Sequence, residues 1–212
     1  MKRKILSLAS LLLAVLMLAS CGGEKYPALN VTDLSAEELE TAENSTIAIS
    51  FPKDEWTADT SISPLTVYYD ATYGTDNATN INAQAAGKFP NALNESHIKE
   101  LFAAVEENPA LTIDLCEMRT LGEENVIYGE CTTRLTDDAI DMLIENGTLT
   151  QELIDFAGGR EFFLNIPPVS QIMIYAVVDD TLCLYVGSYY NENEKQLVLD
   201  VINVMYENTV VK

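Results

Sequence analysis

Nucleophilic and metal-ligating side chains are scarce in this chain of 212 residues, which has one histidine and four cysteines. A Ser–His or Cys–His catalytic pair would have to use His97. His97 falls in the first turn of an expected helix, where the positive end of the dipole disfavours an imidazolium. No serine stands in a Gly-x-Ser-x-Gly context. Three cysteines lie within the body of the chain, at Cys116, Cys131 and Cys183. With no Cys-x-x-Cys pair and no second histidine, a zinc centre is disfavoured. Asp137 and Asp141 share a helix face at i, i+4, and Glu192 and Glu194 lie close together, so either pair has the type for acid–base work. Asp70, Asp76 and Asn77 surround Gly74 without EF-hand spacing. There is no phosphate loop or dinucleotide fingerprint. These residues point to no catalytic constellation, no metal and no cofactor.

Cys116 and Cys131 are candidates for a disulfide. If 122–125 forms a four-residue hairpin loop, Leu121 pairs with Val126 and Cys116 falls opposite Cys131. Directly opposed residues have Cβ atoms about 4.5–5.5 Å apart, against about 3.8 Å in a disulfide. A bridge is geometrically possible but strained. The alternative is a pair of buried free thiols behaving as small apolar residues, with Cys183 a third.

The fourth cysteine, Cys21, has a different setting. Lys2, Arg3 and Lys4 precede an uninterrupted run of apolar and small side chains at 5–19, then Ser20, Cys21, Gly22 and Gly23. A membrane-spanning helix needs about 20 apolar residues, so this run has the length of a signal-peptide core. Leu18-Ala19-Ser20-Cys21 resembles the lipobox of bacterial lipoproteins. The resemblance implies that residues 1–20 are a cleaved leader and that Cys21 is acylated. The protein would then be anchored to the cell membrane on its extracytoplasmic face, and multiple acyl chains would hold it there firmly.

Loss of that leader leaves 9 basic against 33 acidic residues, a net charge of −24. Such a surface is repelled by phosphate backbones and by anionic lipid headgroups, which argues against a nucleic-acid partner. Residues 21–45 hold six acids, Pro27 and few large apolar side chains, and read as a flexible acidic linker spanning about 25–30 Å.

From residue 46 the pattern is globular. Period-two runs at 47–51, 65–69, 78–84, 111–118 and 126–133 read as strands. Residues 171–178 and 181–188 form an expected hairpin through Asp179-Asp180. Ser96 is placed to cap a helix bearing Ile98, Leu101, Phe102 and Val105. Thr136 and Thr150 open two short helices, the second with Leu153, Ile154 and Phe156 as its apolar residues. Asn191 with Glu194 caps the last helix. Both faces of the 171–188 hairpin are largely apolar, so helices should cover the sheet on both sides. The expected architecture for 46–212 is one α+β domain with a mainly antiparallel sheet between helices, an α/β/α sandwich.

Three segments of that domain carry a resemblance. They are Ile49-Ser50-Phe51-Pro52-Lys53-Asp54-Glu55-Trp56, Asn80-Ile81-Asn82, and residues 175–189 followed by an amphipathic helix. Together they resemble the PsbP/Mog-like fold, also seen in small DcrB-like bacterial lipoproteins. Residues 136–160 look like a helical insertion relative to the simplest members. The resemblance implies a binding or assembly-accessory role without catalysis, and it transfers no site residues.

The expected function is therefore that of a lipid-anchored, non-catalytic binding lipoprotein for an unknown protein or small ligand. The candidate binding surface is the 136–160 insertion, with Asp137 and Asp141, or the 70–80 loop with Tyr73. The alternatives are an extracytoplasmic hydrolase using His97 or a thiol, and a passive envelope spacer.

Overall fold

The computed structural model describes residues 26–34, 38–61, 64–75 and 77–212; the leader, Cys21 and Asp76 lie outside them. In chain order the elements are β1 (Leu39–Glu43), β2 (Ile47–Pro52), β3 (Trp56–Asp59), β4 (Leu65–Tyr69), β5 (Asn80–Lys88), α1 (Ser96–Glu106), β6 (Leu111–Leu121) and β7 (Glu124–Thr133). Then follow α2 (Asp137–Glu145), α3 (Gln151–Phe156), α4 (Arg160–Leu164), β8 (Val169–Val178), β9 (Thr181–Tyr189), α5 (Glu192–Glu207) and β10 (Val210–Val211). A seven-stranded sheet runs β3-β4-β5-β9-β8-β7-β6, with antiparallel neighbours throughout. This is an α+β fold whose large antiparallel sheet is covered by helices.

The period-two pattern of the β8–β9 hairpin sorts its side chains into two cores. Ile172, Ile174 and Ala176 face α5, with Cys183 and Tyr185 beside them. Met173, Tyr175 and Leu182 face α1. The turn needs two residues at positive φ, and Asp179 and Asp180 supply φ 47° and 58°. Both helices approach the sheet closely. A Cβ at Gly187 would overlap Val198 of α5, and one at Gly129 would overlap Phe102 of α1.

Helices are not the whole cover on the α5 side. A second sheet, ordered β1-β2-β10, packs Ile47, Ile49 and Phe51 into the same core as α5. β1 has only Ala42 buried, so its sequence carries no strand pattern. It is held by backbone pairing to the edge of β2, from Leu39↔Pro52 to Glu43↔Ala48.

Of the expected flexible linker at 21–45, the described residues 26–34 and 38–45 pack on the domain instead. Pro27 accepts from the Thr120 N–H at 3.0 Å, and the Leu29 N–H donates to the Thr120 carbonyl at 2.9 Å. The Thr32 N–H donates to Asp200 Oδ1 at 2.8 Å. Leu29, Val31 and Leu34 pack against the α5 core. The apolar side chains are few, but they coincide with unpaired backbone at a sheet edge, and the two together hold the segment down.

The 111–133 hairpin differs from the expected register. Leu121 pairs with Glu124, so the turn is the two residues Gly122-Glu123, and a bulge falls between Ile113 and Leu115. Cys116 then lies opposite Gly129, and Cys131 opposite Ile113. Cys116, Cys131 and Cys183 are free thiols. Gly122, at φ 61°, accommodates the tighter turn.

Candidate functional site

The residues with chemical potential are dispersed. His97 accepts at Nδ1 from the Asn94 N–H at 3.2 Å and meets Phe89 edge-on at 5.0 Å. Ser96 does not cap its helix: Asn94 Oδ1 takes the Ser96 N–H and hydroxyl instead, at 3.0 and 2.6 Å. Among the described residues no serine or cysteine hydrogen-bonds to His97. Burial, with smaller contributions from nearby negative groups, pushes Cys116 and Cys131 up to about 11. Cys183 is likewise pushed to about 11, chiefly by burial. A thiol at that value is ionised in about one molecule in ten thousand at neutral pH, so none of the three is an activated nucleophile. Cys131 Sγ instead contacts Met173 Sδ at 3.6 Å.

Asp137 and Asp141 are engaged within the insertion. Arg160 donates from Nη1 to Asp141 Oδ1 at 2.8 Å and from Nη2 to the Asp137 carbonyl at 2.8 Å; its Nε lies 3.4 Å from Asp137 Oδ1. This arginine staples the start of α4 to the start of α2. Glu194 is also occupied. It receives the Thr79 hydroxyl, and its N–H donates to Asn191 Oδ1, the expected cap. No group of acidic, histidine or cysteine side chains among the described residues is arranged to hold a metal ion.

A half-buried polar cluster joins β7 to α5. The Tyr128 hydroxyl and Lys195 Nζ each donate to Glu130 at 2.7 Å. Burial works to raise Glu130, but the hydrogen bonds from Lys195 and Tyr128 and the charges of Lys195 and Arg119 outweigh it and hold the carboxyl low. Burial likewise opposes the charge on Lys195 and is overcome by Glu130, which holds the ammonium high. Every charge in this cluster has a partner, so it fastens the helix to the sheet.

The open geometry lies elsewhere. At the sheet end where β7 stops and β8 begins, α2, α3 and α4 build a small core from Ile140, Leu149 and Ile154, with Phe163 and Leu164 against it. Thr136 and Thr150 cap α2 and α3 through their side-chain oxygens, as their sequence context indicates. Helices this short bury one face only. In α3 Ile154 is buried, whereas Leu153 is 51% exposed and Phe156 92% exposed. In α4 Phe163 turns inward and its neighbour Phe162 turns outward, 55% exposed.

Phe162 opens onto a cleft of about 560 Å³ lined also by Asn165, Ile166, Pro167 and, from the β4–β5 loop, Asn77. Asn77 belongs to the expected 70–80 loop, whereas the helical side of the cleft comes from residues not named from sequence. Tyr73 is 55% exposed and stacks obliquely on Tyr68 at 5.0 Å. It does not line the cleft, and neither do Asp137 and Asp141. Residues 162–167 fall just beyond the expected insertion at 136–160. The available signal was the pair Phe162-Phe163, since two adjacent aromatics in one helical turn cannot both face the same core.

Fold and site together define an α+β domain with an apolar surface cleft at one end of its sheet. No protein-family model matches the chain, and no curated relative matches it. Some solved structures are similar to it at low identity. LpqN of Mycobacterium tuberculosis, described as involved in cell envelope biogenesis, is similar at 11% identity, with 90% of this chain and 99% of that one covered and a TM-score of 0.43. Cyanobacterial PsbP (CyanoP) of Synechocystis is similar at 8% identity, covering 87% and 98%, with a TM-score of 0.40. The Ran-binding protein Mog1p of Saccharomyces cerevisiae is similar at 9% identity, covering 82% and 96%, with a TM-score of 0.41.

Proposed function

We propose that this protein is a lipid-anchored, extracytoplasmic accessory protein that binds a partner through its helical insertion and catalyses nothing. The observation that carries the reading is the cleft beside Phe162, where the large apolar side chains Phe162 and Ile166 face solvent. Exposed apolar surface of this kind is characteristic of interaction sites. The leader preceding Cys21 supports the location: residues 1–20 are removed, and the Cys21 thiol carries the lipid that keeps the chain at the cell membrane. Among the described residues no helix is long and apolar enough to cross a membrane, and an acyl anchor requires none.

Two measurements test the proposal. Mass spectrometry of the native protein is expected to find an N-terminal Cys21 carrying acyl chains; an intact leader or an unmodified Cys21 overturns the anchoring. Affinity capture from membranes is expected to recover a partner with the native chain and to lose it with Phe162→Ser/Ile166→Ser. Identical recovery from both removes the cleft from the function. A hydrolase using His97 or Cys183 predicts turnover abolished by His97→Ala or Cys183→Ser, and a passive spacer predicts no saturable partner.

A further inference from the structure

We infer that the open part of the large sheet, on the face that carries α1, binds a neutral polyhydroxylated ligand, a short glycan held by amide side chains of β5 and β8. This surface is separate from the Phe162 cleft and depends on neither that cleft nor the anchor.

Alternation along β5 assigns its side chains. Ile81 and Ala83 enter the α5 core, so Asn80, Asn82 and Gln84 project from the opposite face. Over β6, β7 and β8 that face is closed by α1, whose Phe102 and Val105 pack with Met118, Ile127 and Met173. Toward β9 and β5 the cover gives out. Leu184 and Val186 are half-buried there and, with Pro64, Asn82 and Gln84, line a hollow of about 300 Å³. Register places the neighbours. Asn80 stands opposite Tyr68 of β4 on one side and Ser188 of β9 on the other, and Ser188 stands opposite Gln171 of β8. The exposed Tyr73 stacks on Tyr68 and so borders the same surface. At about 3.4 Å per residue and about 4.8 Å between strands, the area from Asn80 to Gln84 and from Tyr68 to Gln171 measures about 14 by 14 Å.

Asparagine is disfavoured in strands, since its side chain competes for backbone hydrogen bonds. Two Asn and a Gln nevertheless take alternate positions of β5, an interior strand. Their side chains are held in place. The Thr66 hydroxyl donates to Asn82 Oδ1 at 2.7 Å, and Asn82 Nδ2 donates to Asn80 Oδ1 at 3.1 Å. Gln171 donates to the Ser188 hydroxyl at 3.1 Å and accepts from the Thr133 hydroxyl at 3.0 Å. An amide nitrogen has two N–H groups, and these contacts use one of each, so the second stays available at a fixed position.

The chain has 33 acidic residues, yet the side chains of this surface are all uncharged. Asp59, on the edge strand β3, is taken up by the Ser61 N–H and hydroxyl at 2.8 and 2.6 Å. An ionic ligand would meet no counter-charge here, and a wholly apolar one would strip water from the amides without replacing it. A polypeptide strand adds to a sheet edge, and this is a face. Sugar hydroxyls donate and accept as amides do, while the C–H side of the ring rests on Leu184, Val186 and the tyrosines. Side chains already ordered by one another lose little freedom on binding.

Isothermal titration calorimetry tests this with the native full chain in a polyoxyethylene detergent, which has no sugar headgroup. The probes are cellohexaose, maltohexaose and the hexamer of N-acetylglucosamine, with hexagalacturonate and a Ser-Gly octapeptide as controls. At least one neutral sugar is expected to bind saturably. Asn82→Ala should weaken that sugar about tenfold and Gln84→Ala about threefold. Raising NaCl from about 50 to about 500 mM should leave the affinity within about twofold. No binding of any of the three sugars, unchanged affinity in both variants, or equal binding of hexagalacturonate overturns the inference. Equal binding of the octapeptide overturns it in favour of a polypeptide. Gln84 and Tyr73 are exposed, so an Asn82→Ala chain that loses its circular dichroism is replaced by Gln84→Ala/Tyr73→Ala, expected to weaken the sugar about tenfold.

Discussion

The β8–β9 hairpin and the α2–α4 insertion both carry many apolar residues and put them to opposite uses. Along the hairpin, alternate side chains enter one core or the other, and Ile172, Ile174, Ala176 and Cys183 are fully enclosed. In the insertion each helix is too short to wrap its partners, so Ile140 and Ile154 are buried while Leu153, Phe156 and Phe162 face solvent. In the hairpin, a helix on each face leaves no large apolar side chain exposed. A three-helix appendage of nine, six and five residues has more apolar faces than neighbours to cover them. The difference separates what holds the molecule together from what is free to bind.

Substitution should break or sharpen that contrast. The largest effect is expected at Phe51, which is fully buried between the small sheet and α5. Phe51→Ala should lower unfolding free energy by about 3–5 kcal/mol in a denaturant titration. At Gly187, Ala must displace Val198, a stiff β-branched neighbour, and should cost about 1–3 kcal/mol. Val198→Ala in the same chain should recover part of the packing strain, seen as a double-mutant coupling.

The polar fastening of α5 should be worth less and should depend on pH. Glu130→Gln is expected to cost about 1 kcal/mol at neutral pH, because the pair is partly solvated. The Glu130 carboxyl is held below its ordinary value in the folded protein, so its contribution is present above the unfolded value and disappears as pH falls through the folded one. The wild type and Glu130→Gln should therefore converge in acid, once the pH lies below the ordinary glutamate range. The thiols give the reverse dependence. Cys131 and Cys183 stay protonated to about 11 in the folded chain and ionise nearer 8.5 when it unfolds. Stability should fall as pH rises across that interval, and a thiol reagent at pH 8 should react with them only on unfolding. The smallest effect is expected on the insertion's outer face, where Phe156→Ser should change stability by no more than about 0.5 kcal/mol. A loss of several kcal/mol there would place Phe156 in the core of the insertion.

Periodicity and capping were legible in the residues themselves. The two faces of the 169–189 hairpin, the caps at Thr136, Thr150 and Asn191, and the antiparallel α+β arrangement all follow from local rules. Those rules act over a few residues, and the chain satisfies them wherever it folds. Contacts between distant segments were decided only by the tertiary structure. β1 has no apolar alternation and exists because the edge of β2 needs hydrogen-bonding partners. Residues 26–34 look like a tether until Thr120 and Asp200 are brought beside them. Two residues fewer in one turn, with a bulge at Asp114, moved Cys116 away from Cys131 and opposite Gly129. The cleft joins Asn77 to residues 162–167 across more than eighty positions of sequence. Local composition specifies which side chains prefer burial, but there is only so much interior to fill. Which of Phe156, Phe162 and Phe163 stays outside depends on what the rest of the fold brings near them.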